Sequence, residues 1–338
     1  MQHHAFDQSI IFNPTSCCHR YIKTVNVLRE QITNTILMVR PVNFRMNEQT
    51  AVNNYFQEDP HLKNAEINKK AQQEFDQFVE VLREHGVNVI TIDDNMEQDT
   101  PDSIFPNNWV SFHESGTVCV YPMFAENRRK ERREDVFELL EENGFVINNI
   151  MDYTAAEEEG VFLEGTGSIL KDRVNQKAYC ALSERAHEEL FIEFCEDFDC
   201  FPVIFHANQT VDGKRLPIYH TNVMMAMAET FAVICLDTID DKKERKNVVE
   251  HIKMDGKEII KITEDQMCHF AGNMLQVIGA NNQRYMVMST QAYNCLTPEQ
   301  IKAIEKHCAI IHSSLDTIET CGGGSARCMM AEVFLPKA

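Results

Sequence analysis

The stretch CGGGSARCMMAEVF (321–334) passes from three glycines into a strand-like run, RCMMAEVF (327–334). Similar runs begin after a polar or small residue at four earlier places: NNWVSFH (107–113), EGTGSIL (164–170), HTNVMMAM (220–227) and AGNMLQVIG (271–279). Measured between Asn108, Glu164, His220, Asn273 and Cys328, the spacings are 56, 56, 53 and 55 residues. Such regular spacing indicates an internal repeat.

The segments that follow these runs repeat as well. Each of the first four is followed by a second strand-like run, a charged helix and a further short strand. The predicted second strands are 117–123, 176–183, 231–239 and 284–290, the helices 127–144, 183–198, 241–252 and 297–307, and the third strands 145–150, 201–207, 258–262 and 309–313. The repeating unit is therefore strand–strand–helix–strand.

The N-terminal part supplies a partial fifth unit, with a strand at 36–41, a helix around 64–86 and a strand at 87–92. The C-terminal strand can pair with 36–41 and close a ring. We predict one catalytic domain, 1–338, of the α/β class, built as a five-bladed barrel or propeller. Its units are 36–92 with 327–334, 107–150, 164–207, 220–262 and 271–313. Equivalent positions would then face one channel, whereas a chance coincidence of short strands would scatter them.

The composition is that of a globular protein with enough apolar residues for a sizeable core, since 43% of its 338 residues are hydrophobic. The net charge of −20 disfavours binding to nucleic acids and to anionic membrane surfaces. The N-terminus shows no signal-peptide pattern, and the most apolar run, 223–236, is too short to cross a bilayer. Twelve scattered cysteines indicate mostly buried free thiols, so we expect a cytoplasmic protein.

Cys328 is the candidate nucleophile. The preceding glycines, 322–324, allow positive φ and close approach to a ligand, and Arg327 favours the thiolate. A phosphate-binding loop would need a Lys-Ser or Lys-Thr pair and a helix after the glycines. A zinc site would need a Cys-x-x-Cys spacing, which Cys321 and Cys328 do not have. We therefore predict no metal site.

The repeat places His220 and Glu164 in register with Cys328. An isolated histidine is more often structural than catalytic, and a glutamate at a strand start is often only a solvated charge. Together with the cysteine, however, they make the set of nucleophile, base and orienting acid that covalent catalysis requires. We predict that these three residues are catalytic.

The segments FLEGTGSIL, HTNVMMAM and GGGSARCMM resemble the three catalytic segments of the guanidino-group modifying superfamily. This superfamily includes arginine deiminases, dimethylarginine hydrolases, amidinotransferases and succinylarginine dihydrolases. The resemblance spans nearly the whole chain and implies a five-fold pseudosymmetric α/β propeller of the pentein type. The chain is most similar to bacterial citrulline-utilisation hydrolases, and the segments that carry this resemblance are MVRPVNF, FPNNWVSFH and YPMFAENRRKERR.

Asparagines stand where deiminases of this superfamily usually have two aspartates, at Asn108 and Asn222. A guanidinium has donors only and favours carboxylates, whereas a ureido group has a carbonyl acceptor and N–H donors that an asparagine can satisfy. We predict that Asn107, Asn108 and Asn222 bind substrate and that citrulline fits better than arginine. The alternative is that these asparagines only cap or turn the chain.

The resemblance also implies that an arginine in RRKE binds the substrate α-carboxylate, at Arg128 or Arg129; the alternative is a solvated helix face. The predicted reaction converts citrulline to ornithine, carbon dioxide and ammonia through an S-carbamoyl intermediate on Cys328, with no cofactor. Arginine deiminase, succinylarginine dihydrolase and amidinotransferase chemistry remain alternatives, as does a non-enzymatic amino-acid-binding protein. The expected partner is a small amino acid, and superfamily members are often homo-oligomers.

Overall fold

The computed structural model describes residues 29–338 and shows a mixed α/β fold, as predicted. Its strands are β1 Thr35–Arg40, β2 Asn88–Asp93, β3 Val110–Phe112, β4 Thr117–Val120, β5 Asn149–Asp152, β6 Leu170–Asp172, β7 Lys177–Leu182, β8 Phe201–His206, β9 Asn208–Val211, β10 Lys214–Pro217, β11 Met225–Met227, β12 Phe231–Ile234, β13 Glu258–Lys261, β14 Leu275–Ile278, β15 Arg284–Ser289, β16 Ala309–Ser313 and β17 Ala331–Glu332. Its helices are α1 Asn64–Glu84, α2 Asp135–Glu142, α3 Gly165–Ser168, α4 Glu188–Asp197, α5 Thr221–Met224, α6 Lys242–Met254, α7 Glu264–Cys268, α8 Thr290–Cys295, α9 Pro298–Glu305 and α10 Asp316–Gly322.

Five three-stranded sheets share one arrangement. Their strand orders are β17-β1-β2, β3-β4-β5, β6-β7-β8, β11-β12-β13 and β14-β15-β16. In each sheet the first strand is antiparallel to the middle strand and the third is parallel to it. Parallel neighbours need a crossover connection, and α1, α2, α4, α6 and the α8–α9 pair supply it.

Neighbouring sheets contact one another through their first strands. Strand β17 contacts β3, and β11 contacts both β6 and β14. The turn of α3, which leads into β6, contacts β3. Between the last and the first sheet, the Ile278 N–H donates to the Thr33 carbonyl at 3.0 Å.

The helices bury one face against these sheets. In α1 the buried residues Ile67, Ala71, Phe75, Phe78 and Leu82 follow helical spacing. They join the core that also holds Val277 and Val287 of the last sheet. In residues 29–338, no helix combines the length and the hydropathy needed to cross a membrane.

All five first strands begin later than predicted; β14, for example, begins at Leu275 and β17 at Ala331. The segments at 107, 164 and 220 start as short helical turns, Pro106–Asn108, Gly165–Ser168 and Thr221–Met224, and only then become strands. At Gly165 the cause is a tertiary contact, because φ is +42° and a Cβ there would lie 2.5 Å from the Asn107 carbonyl oxygen. The site residues therefore lie in turns before the strands.

Other boundaries also differ from the prediction. The helix predicted over 127–144 is a 3-10 turn, Arg128–Glu131, followed by α2, because Arg132 is extended and pairs with Glu157. The strand predicted at 145–150 is shifted to β5. The hairpin β9–β10 and the helices α7, α8 and α10 were not predicted.

Candidate active site

The predicted catalytic residues occupy equivalent places in the fold. Glu164 immediately precedes the turn of α3, and His220 immediately precedes the turn of α5. Asn108 ends the 3-10 turn before β3, and Cys328 lies between α10 and β17. Because each of these turns leads into the first strand of its sheet, the structure brings the four side chains together.

Two side-chain amides surround the Cys328 sulfur. Asn273 Nδ2 lies 3.2 Å and Asn222 Nδ2 3.7 Å from Sγ. Asn273 is held in place, because its Oδ1 accepts the Arg327 N–H at 3.0 Å and its Nδ2 also donates to the Asn222 carbonyl at 3.0 Å. Asn273 was noted only as a repeat position, and its register with Cys328 was the signal that could have assigned it to the site.

Cys328 is 3% exposed. Burial raises the pKa of its thiol above the ordinary value, while hydrogen bonds to the Ser325 backbone and to Asn273 act in the opposite direction. The thiol is thus neutral at rest, with amide donors already placed to stabilise a thiolate.

His220 and Glu164 form a buried hydrogen-bonded pair, with 2.7 Å between His220 Nε2 and Glu164 Oε2. Glu164 Oε1 accepts the Phe124 N–H at 3.0 Å. Burial favours the neutral carboxyl, but Arg185 and His220 outweigh it and lower the pKa of Glu164 to about 2. Burial also lowers the pKa of His220 to about 4, against the pull of Glu164. At neutral pH the pair is carboxylate and neutral imidazole.

The glycine loop packs closely on the protein itself. Gly323 has φ +60°, and the Gly322 carbonyl accepts hydrogen bonds from Asn54 and Gln57. A Cβ at Gly322 or Gly324 would lie 2.8 or 2.9 Å from the Phe105 ring. The glycine backbone was predicted to approach a ligand closely. In the structure it instead lies close to Phe105 and Asn54.

A small cavity of about 10 Å³, room for about one water molecule, opens onto these groups and is lined among others by Cys328, His220, Asn108, Asp102, Arg128 and Arg185. Asp102 Oδ1 and Asn108 Nδ2 are buried and have no hydrogen-bond partner among residues 29–338. Burial raises the pKa of Asp102, opposed by Arg128. The cavity therefore offers a thiol, an imidazole, an amide and groups of both charges. No cluster of three or more His, Cys, Asp or Glu in the described part of the chain could hold a metal ion.

The predicted substrate-binding residues fall into two groups. Asn108 lines the cavity, and Asn222 contacts the sulfur. Asn107 lies outside the cavity lining and donates to Thr166 Oγ1 at 3.3 Å. Arg129 also lies outside it, since its Nε donates to the Met123 carbonyl and its guanidinium lies 3.5 Å from Glu157. The structure thus does not bring Asn107 and Arg129 to the cavity.

Arg128 lines the cavity but is fully engaged. Its Nε and Nη2 bind both carboxylate oxygens of Glu131 at 2.8 and 2.9 Å, and its Nη1 donates to Asn108 Oδ1 at 2.8 Å. Burial favours the neutral guanidine, but Glu131, Asp102 and Glu164 outweigh it and raise the pKa of Arg128. Arg128 therefore fixes the orientation of the Asn108 side chain.

Arg185 is the site residue that sequence reasoning missed. Its Nη1 lies 3.6 Å from Glu164 Oε2, and its Nε donates to Asn53 Oδ1 at 3.0 Å. The guanidinium carbon lies 4.9 Å from the centre of the Tyr219 ring. Its partners are far away in sequence, and no local motif marked it.

Three solved structures show the same fold. ArgZ, an arginine dihydrolase from the ornithine–ammonia cycle in cyanobacteria, has 17% identity and a TM-score of 0.68, with 90% of this chain and 41% of ArgZ covered. An Asn-to-Ser mutant of its N-terminal domain, covalently bound to a reaction intermediate, has 17% identity and a TM-score of 0.65, with 89% and 99% covered. A dimethylarginine dimethylaminohydrolase adduct with S-methyl-L-thiocitrulline has 15% identity and a TM-score of 0.59, with 88% and 98% covered.

This chain spans less than half the length of full-length ArgZ. No curated protein sequence shows a significant match. The sequence profile described as "N,N dimethylarginine dimethylhydrolase, eukaryotic" matches residues 40–335. This confirms the predicted membership in the guanidino-group modifying superfamily. The chain belongs to the eukaryotic N,N-dimethylarginine dimethylhydrolase family.

Proposed function

We propose that the protein hydrolyses the ureido group of citrulline to give ornithine, carbon dioxide and ammonia. The observation that carries this proposal is the amide environment of the nucleophile, with Asn222 and Asn273 on the sulfur and Asn108 in the cavity. The carboxylate beside them, Glu164, is already bound to His220 and lies near two arginines. A neutral ureido group can use amide donors and acceptors, whereas a guanidinium is bound better by a carboxylate. The cavity carboxylate of Asp102 is assigned below to the α-ammonium group.

In the proposed reaction the Cys328 sulfur bonds to the ureido carbon, and the thiol proton passes to His220. His220 then protonates the ornithine nitrogen as its bond to the carbon breaks, leaving a carbamoyl group on sulfur. Water, deprotonated by His220, attacks this thioester-like carbon and restores the thiol. The released carbamic acid decomposes to carbon dioxide and ammonia. Glu164 holds the imidazole in one orientation and stabilises its protonated form.

Arg185 and Asp102 are suited to bind the amino-acid end of the substrate. The nitrogens of Arg128 are taken by Glu131, Asn108 and backbone carbonyls. Arg185 Nη1, in contrast, has only the 3.6 Å contact with Glu164 among residues 29–338. We assign the α-carboxylate to Arg185 and the α-ammonium group to the unpaired Asp102 Oδ1. Arg128 then serves to orient Asn108.

We further propose that the five sheets surround one axis as a pentein propeller within a single catalytic domain. The contacts of β17 with β3 and of β11 with β6 and β14, and the hydrogen bond from Ile278 to Thr33, support it. In that arrangement the turns before the first strands meet at one end of the axis, which accounts for the convergence of Glu164, His220 and Cys328.

Arginine dihydrolysis is a second candidate, favoured by the likeness to ArgZ. The ArgZ N-terminal domain carries a covalently bound reaction intermediate in an Asn-to-Ser mutant, as covalent catalysis by Cys328 would require here. Removal of both nitrogens from arginine would pass through a ureido species and then follow the steps above. Dimethylarginine, which would release dimethylamine, is the substrate that the family description suggests.

A substrate panel tests the proposal. Purified protein is incubated with citrulline, arginine or dimethylarginine, and ornithine, citrulline, dimethylamine and ammonia are quantified. We expect ornithine and ammonia from citrulline with the highest kcat/KM and no product from Cys328→Ala. Dimethylamine release as the fastest reaction, with citrulline untouched, contradicts the ureido assignment; ornithine release from both arginine and citrulline identifies the dihydrolase.

A further inference from the structure

Two thiols meet where helix α4 ends, away from the cavity of Cys328. The Cys200 N–H donates to the Cys195 carbonyl at 2.9 Å, and the Asp199 N–H donates to the Glu196 carbonyl at 3.3 Å. Asp199 has φ +47°. These two hydrogen bonds and the left-handed residue define a Schellman motif. Such a motif often brings two apolar side chains into contact, at the positions that Cys195 and Cys200 occupy here.

Here both positions are cysteines, and both side chains pack in the same apolar cluster. The motif fixes the two backbones close together without help from the thiols. A disulfide requires only that two α-carbons be near and that their side chains point toward each other. The two backbone hydrogen bonds therefore hold the two cysteines close in space, as a disulfide between them would need.

The two thiols differ in access. Cys195 is buried, whereas Cys200 is partly exposed and lines a surface cavity that Lys171 also lines. Lys171 lies over the Phe198 ring at 4.4 Å and forms no ion pair with a carboxylate of the described residues. A small oxidant can thus reach Cys200 beside an unpaired cation, which favours a thiolate.

The electrostatics separate the roles of the two cysteines. Contact with Cys195 lowers the pKa of Cys200, helped by Lys171 and opposed by burial. Contact with Cys200 and burial raise the pKa of Cys195. Because Cys200 is partly exposed and Cys195 is buried, Cys200 is the attacking thiol and Cys195 is its resolving partner.

We propose that Cys195 and Cys200 form a modification site for hydroperoxides that closes to a disulfide. The Cys200 thiolate attacks the terminal peroxide oxygen, the O–O bond breaks, and the remaining oxygen leaves as water or an alcohol after taking up a proton. The Cys195 sulfur then attacks the Cys200 sulfenic sulfur, an S–S bond forms, and the sulfenic oxygen leaves as water with the Cys195 proton. The peroxide gains two electrons, one from each sulfur.

Peptide mapping tests the site on the full chain. Reduced protein is treated with limiting hydrogen peroxide, alkylated with N-ethylmaleimide and digested with trypsin, which places both thiols in the peptide 186–214. We expect this peptide to lose two hydrogens and take up no alkyl group until it is reduced. Cys268 is the internal control. The residue is exposed, but partial burial of its sulfur and nearby acidic groups raise the pKa of its thiol. Cys200 should react at least about tenfold faster than Cys268.

Single variants separate the two roles. In Cys195→Ser, dimedone should trap a sulfenic acid on Cys200, and in Cys200→Ser, Cys195 should stay alkylatable. The proposal is overturned if both thiols remain alkylatable at peroxide doses that oxidise Cys268. It is also overturned if Cys195 is oxidised equally fast after Cys200 has been replaced.

Discussion

The side-chain amide nitrogen of Asn273 lies 3.2 Å from the sulfur of Cys328, and the oxygen of the same amide accepts the Arg327 N–H. One residue of the last sheet thus holds the backbone beside the nucleophile and donates to the nucleophile itself. Hydrogen bonds to a charged group are stronger than those to a neutral one, so this contact gains strength as the thiolate forms.

Replacing Asn273 by alanine should raise the pKa of Cys328 and lower kcat/KM by about 10- to 100-fold, the loss of one hydrogen bond to a charged group. The pH dependence of alkylation at Cys328 measures the first effect, and steady-state kinetics measure the second. Asn247→Ala, on the exposed face of α6, is the matched control. An unchanged alkylation profile in Asn273→Ala contradicts the assigned contact.

Asn108→Asp should shift selectivity from citrulline toward arginine. Arg128 holds Asn108 Oδ1, so the other end of the side chain remains for a ligand in the cavity. A carboxylate oxygen there favours a guanidinium, and the ratio of kcat/KM for arginine over citrulline should rise by about tenfold or more. Asn247→Asp serves as the control for an added charge. If the ratio of kcat/KM for arginine over citrulline stays constant, Asn108 does not determine substrate selectivity.

Arg185→Lys should raise KM for citrulline by about tenfold or more, because a lysine cannot bind Asn53 and Thr50 and still present a second nitrogen to the carboxylate. Arg129→Lys is the matched control, since Arg129 lies outside the cavity and should leave KM unchanged. Steady-state kinetics of both variants show whether Arg185 or Arg129 binds the substrate carboxylate. A larger effect at Arg129 returns the carboxylate role to one of the two residues predicted from the sequence, Arg128 and Arg129.

The stability of the protein should fall as the pH is lowered from about 6.5 to 4. The pKa of His220 is about 4 in the folded protein, below that of a free histidine. As the pH falls, the unfolded chain therefore takes up this proton first, which stabilises the unfolded state relative to the folded state. Glu164, with a pKa of about 2, adds a loss of stability that begins below about pH 4.5. The melting temperature against pH measures this. The fall between pH 6.5 and 4 should be shallower in His220→Gln, and an equally steep fall in that variant excludes His220 as its source.

The repeat spacing predicted the order of strands and helices because each unit must bury the same faces against its neighbours. The same spacing placed Glu164, His220 and Cys328 together, since register alone decides which turns meet. The spacing could not show that Gly165 lies against the Asn107 carbonyl, which turns a predicted strand start into a helical turn. Local pattern carries no sign of such long-range contacts.

Arg185 is a second feature that the sequence could not predict, and it lies within the site. The segment SERAHEELF has the pattern of an ordinary charged helix, and the prediction began a helix at 183. The structure starts α4 at Glu188, which frees Arg185 to reach Asn53 and Thr50. These partners lie more than 100 residues earlier in the chain, so only the folded structure could place this cation beside Glu164.

Trapping the intermediate tests the central claim most directly. Citrulline labelled with ¹³C at the ureido carbon is mixed with the protein, turnover is stopped with acid after milliseconds to seconds, and the peptide containing Cys328 is analysed by mass spectrometry. We predict a ¹³C carbamoyl group on Cys328 that disappears as labelled carbon dioxide and ornithine accumulate. Ornithine formation without label on Cys328 at any time, or with label on another residue, would contradict the account.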